Sequence, residues 1–79
     1  MSKAEKLLEK MRQHPLNWRM KDIETVARHV GLTASRPGKG GSHVTFRTGS
    51  GAKVTVPDHR PVKEVYIKKF LALIDTVEE

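Results

Sequence analysis

The sequence predicts an α+β domain: a three-stranded antiparallel sheet with helices packed on one of its faces. Three observations lead there. Apolar residues recur at helical spacing before residue 31 and after residue 61, the period drops to two between Leu32 and Val56, and glycine or proline separates the segments. The 79 residues make a single domain, read as a helical extension over 1–18 followed by a core over 19–76.

Each element follows from local chemistry. Ser2 and Glu5 have capping-box spacing, and Ala4, Leu7, Leu8 and Met11 then mark one face of a short helix that ends by His14-Pro15. From Arg19 a second helix carries Met20, Ile23, Ala27 and Val30 on one face with Val26 beside them. Asn17 is its expected N-cap and Gly31 its stop. Leu32 to Ser35 is a first short strand. His43 to Arg47 and Lys53 to Val56 alternate apolar and polar residues on either side of the turn Thr48-Gly49-Ser50-Gly51. Pro57 stops the third strand. Pro61 suits a first helical position, and Tyr66, Ile67, Phe70, Leu71 and Ile74 give the last helix its buried face. Helices on one side leave the other sheet face to solvent, so alternation puts His43, Thr45, Arg47, Lys53 and Thr55 on that open face and Val44, Phe46, Val54 and Val56 in the core.

Composition narrows the partners. Fifteen Lys and Arg against nine Asp and Glu give a net charge of +6, with no single basic amphipathic run. Such a balance points to a polyanion, nucleic acid before membrane. No cysteine is present, no apolar run approaches a membrane span, and the N-terminus lacks a secretory apolar segment, so a cytoplasmic protein is expected.

Two separated motifs, GSHVTF at Gly41 to Phe46 and VTVPDH at Val54 to His59, stand in order between the helical segments. They resemble the HicA toxin family, over roughly Met20 to Ile74. The resemblance implies a fold like that of double-stranded-RNA-binding domains. It also implies a ribonuclease acting on messenger RNA and a HicB-type antitoxin protein that holds it inactive. No cofactor, metal or membrane partner is implied. The chain departs from the family pattern in three ways. Val44 stands where many members have a second histidine, residues 1–18 precede the family core, and the loop Ser35 to Gly41 is rich in glycine. By alternation a second histidine would point into the core, which makes Val44 a sensible occupant.

Metal-independent RNA cleavage needs a base for the 2′-hydroxyl proton, an acid for the leaving 5′-oxygen, and cations for the phosphorane. Histidine suits proton transfer because its ordinary pKa of about 6.5 keeps both forms populated near neutrality. His43 is therefore the catalytic candidate. Lys39, Arg36, Arg47 and Lys53 are the expected cations around it, with Arg47 on the order of 7 Å away along the strand. Gly41, with Gly38 and Gly40, lets backbone amides approach a phosphate, and Ser42 completes the RNA-contacting loop. His59 and Arg60 are expected just before the last helix, where free amides attract phosphate, and His59 is a further RNA contact or a second proton-transfer group. Each feature also has an ordinary reading: a surface histidine, a connecting loop, a histidine before a helix. The histidines at 14, 29, 43 and 59 fit no metal-ligand spacing. Trp18 either packs the extension onto the core or meets a partner. Two other functions fit the same sequence: a non-catalytic RNA-binding module using the same face, and a protein-binding domain docking an acidic partner.

Overall fold

The computed structural model describes residues 2–36 and 43–78. Its elements run α1 (Lys3–Gln13), α2 (Met20–His29), β1 (Thr33–Ser35), β2 (His43–Arg47), β3 (Lys53–Pro57) and α3 (Glu64–Glu78). The strands form one antiparallel sheet in the order β1-β2-β3, so the expected α+β architecture of three strands and three helices is present.

α1 starts where Ser2 Oγ accepts the Glu5 N–H at 3.2 Å, supplying one of the partners a helix start lacks. Met11 is fully buried in the cluster that also holds α2, sheet and α3 residues. Side-chain contacts tie α1 to its neighbours: Arg12 pairs with Asp75 of α3 at 2.8 Å, and Glu5 Oε1 lies 3.6 Å from His29 Nε2 of α2. The N-terminal segment thus contributes to the one core.

α2 begins differently from expectation. Arg19, without a side-chain cap bond, occupies the N-cap position, while Asn17 has a φ of +64° and turns the chain two residues earlier. Asparagine is among the few residues that tolerate this left-handed conformation, so the same residue serves the turn and not the cap. The turn presents Trp18, whose Nε1–H donates to the His14 carbonyl at 2.6 Å and whose own carbonyl accepts the Val62 N–H at 2.8 Å. Trp18 packs against the core and ties the α1–α2 connection to the segment before α3.

The end of α2 follows the sequence closely. Gly31 takes a φ of +85°, its N–H donates to the Arg28 carbonyl, and the Leu32 N–H reaches the Ala27 carbonyl at 2.8 Å. This is the Schellman arrangement, completed by the burial of Leu32.

Val44, Phe46 and Val56 project from the sheet toward the helices and are fully buried with Ile23, Val26, Ile67, Phe70 and Ile74. The Phe46 and Phe70 rings lie 5.1 Å apart and tilted, an arrangement favoured by the ring quadrupoles. α3 starts three residues later than Pro61 suggests. The Val62 N–H is bound to Trp18 in an isolated antiparallel bridge, which holds that residue extended, and the Lys63 carbonyl accepts the first helical bonds from Tyr66 and Ile67. No helix among the described residues is long and apolar enough to cross a membrane.

Candidate nucleic-acid interface

The strand register orders the face turned away from the helices into rows. Arg47 is opposite Thr33 on one side and Lys53 on the other; Thr45 is opposite Ser35 and Thr55; His43 is opposite Pro57. Side chains directly opposite on antiparallel strands share a face. The hairpin end therefore carries a row of Thr33 and two cations, the middle a row of hydroxyls, and the far end His43.

His43, Arg47, Lys53 and Thr55 are exposed and Thr45 is half-buried. The hydroxyls of Thr45 and Thr55 are 3.0 Å apart and share a hydrogen bond across the strands. Thr33 and Ser35 belong to the same face, although the motifs gave no reason to single them out. The alternation that placed His43 would have found them, once extended to β1.

Two expected distances need correcting. Arg47 is four residues beyond His43, with Thr45 between them on the same face, so strand rise separates the two by roughly 13 Å rather than 7 Å. The Arg47–Lys53 row is thus a patch two rows from His43, with the hydroxyl row between them. His59 is also placed differently from its expected position: α3 begins at Glu64, with Glu64 itself in the first turn, so His59 is not beside a helix N-terminus. It is exposed in the segment leaving β3, where its N–H turns back to the Pro57 carbonyl at 3.0 Å.

Arg36 leaves the cation set altogether. Its side chain bridges Glu24 at 3.0 Å and Asp58 at 3.2 Å. Parity explains this: Ser35 belongs to the open face, so the next residue turns to the helix side, where α2 and the end of β3 supply carboxylates. The hydrogen bond that Arg36 donates to Asp58, joined by the charge of Glu24, raises the Arg36 pKa above its ordinary value. Arg36 thus clasps α2 to the end of the sheet beneath the row that holds His43.

Lys39, Gly41 and Ser42, together with Gly38 and Gly40, lie outside the described residues. Among the described residues no three or more His, Asp or Glu side chains come together as a cation site. No protein-family model, curated protein or solved structure matches the chain.

Chemically, the face offers one imidazole, a two-cation patch and a strip of hydroxyls, opposite a side whose strand residues Val44, Phe46 and Val56 are buried. It can attract a polyanion, hydrogen-bond its sugars and phosphates, and move a proton at one end.

Proposed function

We propose that this chain is a ribonuclease toxin that binds messenger RNA across the open sheet face and cleaves it with His43 as general acid–base, held in check by a HicB-type antitoxin. In the same reading, the core from α2 to α3 is of the double-stranded-RNA-binding type and the protein works in the cytoplasm. The observation that carries the proposal is the position of His43: exposed at the start of β2, on the same face as Arg47 and Lys53, within the GSHVTF motif.

His43 takes the proton from a 2′-hydroxyl, whose oxygen attacks the adjacent phosphorus. The 5′-oxygen leaves with a proton from His59 or from water, and a 2′,3′-cyclic phosphate remains. The nucleophile belongs to the RNA, so the step needs no divalent metal. Arg47 and Lys53 act two rows away, on the phosphates that position the substrate. Lys39, Gly41 and Ser42 are the loop contacts of the motif.

Purified protein should cut RNA in excess EDTA, leave cyclic phosphate ends and spare an all-deoxy strand of the same sequence. Loss of cleavage in EDTA, or cutting of the deoxy strand, would overturn the mechanism.

A second reading is an RNA-binding module without cleavage. The separation of roughly 13 Å between His43 and the cation row favours it, since cations that stabilise a transition state stand next to the reacting phosphate. RNA binding that follows salt concentration, with no product at any enzyme excess, would decide for this second reading.

A further inference from the structure

A groove runs between the outer edge of β3 and α3. Lys53 and Val54 line it from the strand and Lys69, Ala72, Leu73 and Thr76 from the helix, around a volume of about 340 Å³. Its floor is apolar: Leu73 is 7% exposed and Val54 is half-buried. Its rim is cationic, with Lys53 exposed on the strand and Lys69 exposed on the helix, the latter holding its ammonium 5.7 Å from the Tyr66 ring centre.

The strand order leaves β3 at the border of the sheet. Alternate N–H and C=O groups of a border strand point away from its neighbour, and they are a template for another strand. Among the described residues, the backbone hydrogen bonds formed outside helices and strands include none to Lys53–Val56. An unpaired strand edge beside a helix, with an apolar trough between them, is the geometry for adding an extended peptide. Main-chain bonds supply affinity and alternate side chains fill the trough.

Charge selects the occupant. A second copy of the chain would bring another net charge of +6 and another pair of rim lysines to the same place, a repulsive encounter. We propose that the groove takes an extended acidic segment of a partner protein, added beside β3 as a fourth strand. Its apolar side chains lie over Val54 and Leu73, and its alternate carboxylates face Lys53 on the open side. Lys69 on the helix rim adds to the attraction for its net negative charge. The inference uses neither His43 nor RNA and shares only Lys53 with the ribonuclease reading, so the two stand or fall separately.

The test is an NMR titration of isotope-labelled protein with a synthetic ten-residue peptide alternating valine and glutamate. A second peptide holds the same residues in two blocks. Amide shifts should concentrate at 53–57 and 69–76, amides on the β3 edge should gain protection from exchange, and the block peptide should bind at least about tenfold more weakly. Ala72→Glu, at an exposed helix position, should weaken the alternating peptide by about tenfold or more; if that variant does not fold, Lys69→Glu should give the same loss. Four outcomes would overturn the proposal. They are no saturable binding up to ~1 mM, shifts centred on the open face, equal affinity for both peptides, and indifference to the groove variants. Self-association of the chain through β3, seen as concentration-dependent shifts at 53–57, would also overturn it by making a second copy the occupant.

Discussion

The two faces of the sheet differ more than any other two regions of this molecule, and they are built from the same residues in alternation. Val44, Phe46 and Val56 reach into the helices and are fully buried, with the Phe46–Phe70 ring pair at the centre. Their immediate neighbours His43, Thr45, Arg47, Lys53 and Thr55 lie on the other side, exposed or half-buried. One face holds the fold together through area removed from water. The other is free to carry charge, hydroxyls and an imidazole, because none of them has to be desolvated for the chain to fold. Stability and chemistry should therefore separate at single-residue resolution along β2.

The strongest challenge to that separation is made on the buried face. Phe46→Ala removes a fully buried ring that packs tilted against Phe70, and should cost about 3–5 kcal/mol. In so small a domain that is most of the available stability, so the variant should lose its cooperative thermal transition and every activity with it. A clear melting transition within a few degrees of the parent would mean that this face does not carry the fold.

On the open face the cation row comes next. Arg47→Ala and Lys53→Ala should leave the melting temperature within a few degrees, weaken RNA binding, and each reduce the salt dependence of log K by about 0.7, the slope per phosphate contact on a single strand. Filter binding at several salt concentrations reads this. A fall in single-turnover rate with affinity unchanged would instead move that residue into the transition state and contradict the row separation. The hydroxyl row is worth less. Thr45→Val removes a cross-strand hydrogen bond and should cost about 0.2–1 kcal/mol by denaturant titration, without loss of the fold.

The smallest effect is expected at Arg36. Its two carboxylate partners make it a clasp on the helix side, so Arg36→Ala should lower the melting temperature by on the order of a few °C and leave RNA affinity unchanged. A loss of RNA binding as deep as that of Arg47→Ala would return Arg36 to the interface.

What could be read in the sequence was what depends on near neighbours. The Ser2–Glu5 start, the Gly31 stop of α2 and the inward placing of Val44, Phe46 and Val56 all follow from spacing of a few residues, and the structure shows each. Val54, expected in the core, is half-buried, and Leu32 closes α2 instead of opening β1. What escaped depends on partners far along the chain. The start of α3 is delayed because Val62 bonds to Trp18, and no local preference of Pro61 could reveal that. Arg36 is expected among the cations around His43, yet its partners come from α2 and from beyond β3. Asn17 is expected as an N-cap from its place before α2, yet it takes the left-handed turn next to the long-range bridge at Trp18. For the candidate site, alternation puts His43, Arg47 and Lys53 on one face. The four-residue spacing of His43 and Arg47 at strand rise already sets those two roughly 13 Å apart, so that correction was contained in the sequence.

The most direct test sets two adjacent residues against each other. His43→Ala and Val44→Ala differ by one position and by the face they occupy, one exposed and one fully buried. Single-turnover RNA cleavage at saturating enzyme, well below the melting temperature, should fall by about 100- to 10,000-fold for His43→Ala with its melting curve unchanged. Val44→Ala should lose about 1.5–3 kcal/mol of stability and keep its rate within about threefold. Full cleavage by the His43→Ala protein would contradict the account, as would equal loss of rate in both variants while both remain folded.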